Sequence, residues 1–252
     1  MDAPFHFEGP AEVIGHRGYA ARAPENTLVS LDAAIEVGAD AVEFDIHTAG
    51  DGNPVLFHDA MLSRTTNGVG PIRRRTLEQL RGLDAGKWFD PEYAGEKIPA
   101  LRGTLLHIGN RIPRIYAEVK GFRELEDVDR MVRFARESRA LERTVFIAMN
   151  WTLLDRMRSQ EADLKVGFIV EDAERADEAI ERATGDERAL IDFDARILLA
   201  NPDLAQRARS AGIPLAAWTV NDPADATRLL EMGVPRITTD EVEVMVAWKR
   251  AL

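Results

Sequence analysis

Eight short apolar, β-rich runs alternate with longer stretches of helical periodicity along this 252-residue chain. The runs are AEVIGH (11–16), AVEFDIHT (41–48), RIYAEVK (114–120), TVFIAM (144–149), LKVGFIV (164–170), ALIDFDA (189–195), IPLAAWTV (213–220) and RITTD (236–240). Most are apolar at odd and even positions alike, the pattern of parallel strands covered on both faces. The intervening segments carry helix punctuation. LVSLDAAIEVG closes at Gly38, and residues 124–139 show a periodic Leu125, Val128, Met131, Val132, Ala135 stripe. Asn201-Pro202 and Asp222-Pro223 open two further helices that close at Gly212 and Gly233. Eight βα units in a chain of this length predict a (β/α)8 TIM barrel, with 1–252 as a single domain. A doubly wound open sheet is the alternative and is favoured less by the strand count.

Residues 59–98 break the rhythm. Gly and Pro recur throughout them, and only TLEQLRGL reads as helical. The segment is expected to be a small insertion after the second strand, sitting over one mouth of the barrel.

Composition narrows the partners. There are 32 basic and 43 acidic residues, a net charge of -11, which disfavours a nucleic-acid binder but leaves room for a small anionic substrate in one locally basic cleft. The chain has no cysteine, so disulfides, thiolate metal sites and a cysteine nucleophile are excluded. The segment MDAPFHFEGPAE has no basic start followed by an apolar run, and no stretch of roughly 18 apolar residues occurs anywhere. The expectation is a cytoplasmic protein with no membrane span. The sequence does not indicate an oligomeric state.

In a barrel of this kind, chemistry collects where strands end and βα loops begin. Those positions hold His16-Arg17-Gly18, Glu43 and Asp45, a hairpin ending at His58, Glu118 and Lys120, Trp218, Thr219 and Asn221, and Asp240. Glu43 and Asp45 stand two apart on one strand face, and Glu118 is placed similarly on the next strand. A rim salt bridge would account for the first pair, and Glu118 could pair with Lys120. Three converging carboxylates are better explained by one hard divalent cation, Ca²⁺ or Mg²⁺. His16 and His58 suit a general acid and base; as metal ligands they would instead suggest a zinc hydrolase. Arg17 and Lys120 suit a phosphate. His47 is expected on the face opposite Asp45, packed between barrel and helices. His6 and His107 have no strand-end placement.

The stretch GHRGYAARAPENTLVSLDAAIEVGADAVEFDIHTAGDGNPVLFHD resembles the signature region of the glycerophosphodiester phosphodiesterases. The resemblance continues through SRTTNGVG, KWFDPEYAGEKIPAL, YAEVK and AAWTVND…GVPRITTD, so it spans most of the chain in order. It implies a TIM barrel with an insertion after the second strand. It also implies a metal held by Glu43, Asp45 and Glu118, with His16 and His58 as the acid–base pair. Arg17 and Lys120 would hold phosphate, and Trp218 would line the pocket near glycerol. The implied reaction is hydrolysis of a small-molecule glycerophosphodiester to sn-glycerol 3-phosphate and an alcohol. A phospholipase of the sphingomyelinase D or phosphoinositide-specific type, and a non-catalytic phosphate-binding protein, are the competing readings. The sequence departs from the family pattern at Thr48-Ala49-Gly50, at Ala100-Leu101-Arg102-Gly103 and at Met149-Asn150.

Overall fold

The computed structural model describes residues 4–252; the first three residues of the segment read for a leader lie outside them. Strands β1 (Glu12–Gly15), β2 (Ala41–Thr48), β4 (Arg114–Gly121), β5 (Thr144–Ala148), β6 (Lys165–Val170), β7 (Ala189–Asp194), β8 (Leu215–Trp218) and β9 (Arg236–Thr239) run parallel in that order. β1 pairs with both β2 and β9, which closes the sheet into a barrel. A ninth strand, β3 (Pro54–Leu56), is antiparallel to β2 and forms the return of a hairpin outside the ring. Each predicted run contains its strand to within one or two residues at either end, except that β4 runs one residue past its run, to Gly121.

The helices follow their punctuation. In α1 (Leu28–Val37) the Thr27 side chain accepts from Ser30 N, and Gly38 stops the helix at φ 99°. Asp222 caps α9 (Pro223–Glu231) by accepting from Ala224 N at 2.8 Å. Asn201 stands at the start of α8 (Pro202–Ser210) without a side-chain cap bond; its amide instead donates to the Ile197 carbonyl behind it.

The barrel interior is layered. At the bottom, Glu12 meets Arg114 and Arg236. Above it lies an apolar layer that includes Ile14, Tyr116, Val145, Leu190 and Ala216. The top layer is polar. Outside the ring, Phe44, Phe146 and Phe193 point from the strands into a continuous core beneath the helices.

Residues 59–98 contain the short helix α2 (Leu77–Arg81), with Thr76 and Gln79 forming a reciprocal capping box. They have their own apolar cluster, in which Leu62, Ile72, Leu80 and Ala85 pack on Ala49, Val55 and Phe57 of the hairpin. This packing explains the unusual Ala49-Gly50 tip. Ala49 is fully buried in that cluster. Gly50 N donates to the Arg75 carbonyl at 2.7 Å, and a Cβ on Gly50 would stand 2.8 Å from the Arg73 carbonyl oxygen. From the other side, Arg123 and Arg130 donate to the carbonyls of Gly50 and Gly52. The hairpin tip is small because two neighbours close on it.

Candidate active site

Strand register assembles the carboxylates. Asp45 pairs with Glu118 across the β2–β4 ladder, and Glu43 stands two residues earlier on the same face. All three are buried, and one oxygen from each lies within 4.8 Å of the others. Glu43 Oε1 and Asp45 Oδ1 have no hydrogen-bond partner among the described residues.

The turn after β1 supplies the first cation. Arg17 adopts a left-handed backbone, φ 53°, which directs its N–H to Glu43 Oε2 at 2.8 Å. Gly18 follows at φ 87°, packed so tightly on Ser30 that a Cβ would meet its backbone at 2.5 Å. The Arg17 side chain pairs with Asp45 at 3.1 Å and with Glu25 at 2.8 Å. Asn26, also left-handed at φ 57°, exchanges two hydrogen bonds with Asp45, giving its amide to the carboxylate and receiving the Asp45 N–H. Lys120 supplies the second cation. It stands 2.6 Å from Glu118 and 3.7 Å from Asp45, so the Glu118–Lys120 pair and the carboxylate cluster exist together.

Two cations do not balance three buried carboxylates, and the proton affinities reflect it. Burial and the neighbouring Asp45 and Glu118 push the Glu43 carboxyl well above its ordinary range. Burial, then Asp45, pushes Glu118 up to about 7. Burial also raises Asp45, but Arg17 and Lys120 outweigh it and hold that carboxyl below its usual range. Orphaned buried oxygens on a carboxylate cluster fit a hard divalent cation. Neither histidine belongs to that cluster.

Each histidine is instead held by a carboxylate through Nδ1. His16 Nδ1 lies 2.7 Å from Asp240 Oδ1, and Asn221 donates to the other Asp240 oxygen at 3.0 Å. His58 Nδ1 lies 2.6 Å from Asp59 Oδ1. A carboxylate at Nδ1 requires the proton there, leaving Nε2 for the pocket that both rings line. Asp59 is in turn gripped by Arg64, whose hydrogen bond, together with His58, holds its carboxyl down to about 2. Arg64 also makes two 2.7 Å hydrogen bonds to Glu25, the carboxylate that holds Arg17.

His47 differs from expectation. Period-two alternation places it with Glu43 and Asp45, not opposite them, and the β2–β4 register slips by one residue between Ile46 and His47. Its Nε2 donates to the His58 carbonyl at 2.9 Å, and its ring lies where a Cβ on Gly121 would be. It therefore supports the mouth from behind. His107 pairs with Asp32 on the surface. Asp194, although at a strand end, caps α7 (Ala195–Ala200) and pairs with Arg196. Asp59, Arg64, Glu25 and Asn26 were not singled out by sequence. Their signal was adjacency to His58 and membership of the PENT and SRTTNG motifs.

The pocket over these groups is about 480 Å³, and Trp218 forms part of its wall. Its indole donates to the Asp192 carbonyl at 3.4 Å.

The chain is similar to known proteins in sequence and in fold. The glycerophosphoryl diester phosphodiesterase family model matches residues 16–244. A glycerophosphodiester phosphodiesterase of Caldanaerobacter subterraneus is 31% identical over 93% of this chain and 96% of its own. A phosphodiesterase of Oleispira antarctica, solved in complex with the product sn-glycerol-3-phosphate, superposes with a TM-score of 0.85 at 29% identity, over 94% of this chain and 96% of that one. The Thermotoga maritima glycerophosphodiester phosphodiesterase gives a TM-score of 0.75 at 26% identity, over 96% and 99%. The chain belongs to the glycerophosphoryl diester phosphodiesterase family.

Proposed function

We propose that this chain hydrolyses glycerophosphodiesters to sn-glycerol 3-phosphate and an alcohol, with its described residues acting as one catalytic barrel and residues 59–98 as a small insertion in it. The observation that carries the reading is the meeting of three buried carboxylates, two cations and two carboxylate-held histidines at one barrel mouth. Glu43, Asp45 and Glu118 would hold one divalent cation, which we assign to Ca²⁺ or Mg²⁺ on the all-oxygen donor set. Such an ion supplies charge neutralisation at the phosphoryl oxygens.

The chain's own groups do the rest. Arg17 offers a guanidinium fork and Lys120 an ammonium to the remaining phosphate oxygens. One histidine takes the proton of the attacking oxygen, either water or the glycerol 2-hydroxyl. The other gives a proton to the departing alkoxide. Asp240 and Asp59 fix the two tautomers, so both rings present Nε2 to the reaction. Trp218 forms an aromatic wall beside the phosphate site. No helix among the described residues is long and apolar enough to cross a membrane. The absence of cysteine suits a reducing compartment, and a cytoplasmic location is part of the proposal.

The test is product release from glycerophosphocholine, glycerophosphoethanolamine and glycerophosphoinositol, beside sphingomyelin and phosphatidylinositol vesicles. The proposal expects sn-glycerol 3-phosphate from the first three. Turnover confined to the vesicles would replace it with the lipid-phosphodiesterase reading.

A further inference from the structure

Two ionisable groups lining the pocket, Asp192 and the exposed Glu171, have no part in the chemistry above, and of these only Asp192 is buried. Asp192 stands on the inner face of β7, on the far wall of the ring from β2 and three strands round from β4. It lines the same pocket as the phosphate-binding and proton-transfer groups. Its side chain is 97% buried, at 3% exposure, and Oδ1 has no hydrogen-bond partner among the described residues. No described Lys, Arg or His pairs with it, although other buried carboxylates of the barrel, such as Glu12 and Glu118, have such a partner. Ile147, Ile169 and Trp218 line the pocket with it, and Glu118 and Lys120 act on it through space without pairing with it. A carboxyl left unpaired in such surroundings costs stability unless something else bonds it.

We propose that Asp192 is a specificity residue that hydrogen-bonds the terminal hydroxyl of the substrate's glycerol arm. The inference rests on the glycerophosphodiester reading and deepens it. With phosphate at Arg17, Lys120 and the carboxylate cluster, one arm of the diester must cross the mouth towards β7. Asp192 stands at a buried end of the pocket, at 3% exposure, whereas the His58 side chain is 31% exposed. A buried end suits the arm that every glycerophosphodiester shares, and an exposed one suits the arm that varies. Glycerol is short, with an apolar edge for Ile147, Ile169 and Trp218. Its terminal hydroxyl is the polar group farthest from phosphorus, so it can reach the wall opposite β2, where Asp192 stands. Burial pushes the Asp192 carboxyl up to about 8, so at neutral pH it can both donate to a hydroxyl and accept from one.

The test compares glycerophosphocholine with propane-1,2-diol phosphocholine, which keeps the 2-hydroxyl and lacks only the terminal one. The wild-type enzyme is expected to favour glycerophosphocholine in kcat/KM by about 10- to 100-fold. Asp192→Ala should remove most of that preference by raising KM for glycerophosphocholine while leaving the deoxy substrate nearly unchanged. Asp192→Asn, which keeps shape, donor and acceptor, should retain most of it. Equal wild-type rates on both substrates would overturn the proposal without any variant. So would an Asp192→Ala loss that is the same on both. Wild-type inactivity towards both would instead remove the functional reading beneath it.

Discussion

The two ends of the barrel interior use the same residue types to opposite ends. At the bottom, one carboxylate, Glu12, faces two arginines, with Arg114 at 2.7 Å and Arg236 at 3.2 Å, and the Tyr116 hydroxyl donates to it at 3.2 Å. The spare arginine donors go to the carbonyls of His6, Phe5 and Leu215, and the Phe5 ring lies against both guanidinium groups. At the mouth, three carboxylates face two cations, and oxygens of Glu43 and Asp45 are left over. The bottom has cationic charge to spare and directs it to backbone carbonyls; Arg236 Nε makes no hydrogen bond but lies 3.2 Å from Glu12 in an ion pair. The mouth has anionic charge to spare and nothing among the described residues to meet it. A buried polar cluster that completes itself serves the fold; one that does not is arranged for something from outside.

That contrast can be broken from either side. At the mouth, His16→Ala and His58→Ala should each lower kcat by about a hundred- to ten-thousand-fold with an unchanged circular dichroism spectrum and melting temperature. Near-wild-type turnover in either variant would remove that histidine from the mechanism. At the bottom, Glu12→Ala leaves two buried guanidinium groups uncompensated and should lower unfolding free energy by about 3–5 kcal/mol in urea. The fraction that stays folded should retain its kcat, and a primary loss of kcat would blur the distinction between the ends. Arg64→Gln should be milder. It loosens Asp59 behind His58 and Glu25 behind Arg17, for an activity loss of about ten- to a hundredfold. Without that guanidinium the Asp59 carboxyl should titrate well above its present value of about 2. Carbon-detected NMR titration reads this, and an unmoved Asp59 would mean that His58 alone holds it. Smallest is the exposed pair Arg228–Asp225 on α9, 3.1 Å apart. Its removal should change stability by no more than about 1 kcal/mol and activity not at all, which provides the control for both ends.

Much of this was legible in order along the chain. The strands announced themselves because a parallel barrel buries both faces of each one, and the metal-type triad because i and i+2 share a face. The remainder depends on distance in sequence or on local irregularity. Asp240 is 224 residues from His16, and no spacing links them. Arg64 sits in a Gly- and Pro-rich insertion without periodicity, yet it connects His58 to Arg17. Asp192 shares its run with Asp194, and both are buried; only the lack of a partner separates it from Asp194, which is a helix cap. His47, expected on the face opposite Asp45, shares the Asp45 face by simple alternation, and beside the register slip it bonds the His58 backbone. The Ala49-Gly50 tip, unexplained by sequence, is small because the insertion closes on it.

Glu43, Asp45 and Glu118 are proposed to hold one divalent cation between them. Isothermal calorimetry of chelator-treated protein with Ca²⁺ and with Mg²⁺, paired with melting curves, tests it without reference to turnover. One ion per chain is expected, with a melting temperature that rises with ion concentration, and both should be lost in Asp45→Asn. Absence of binding in the wild-type protein, or binding that survives Asp45→Asn combined with Glu43→Gln and Glu118→Gln, would contradict it.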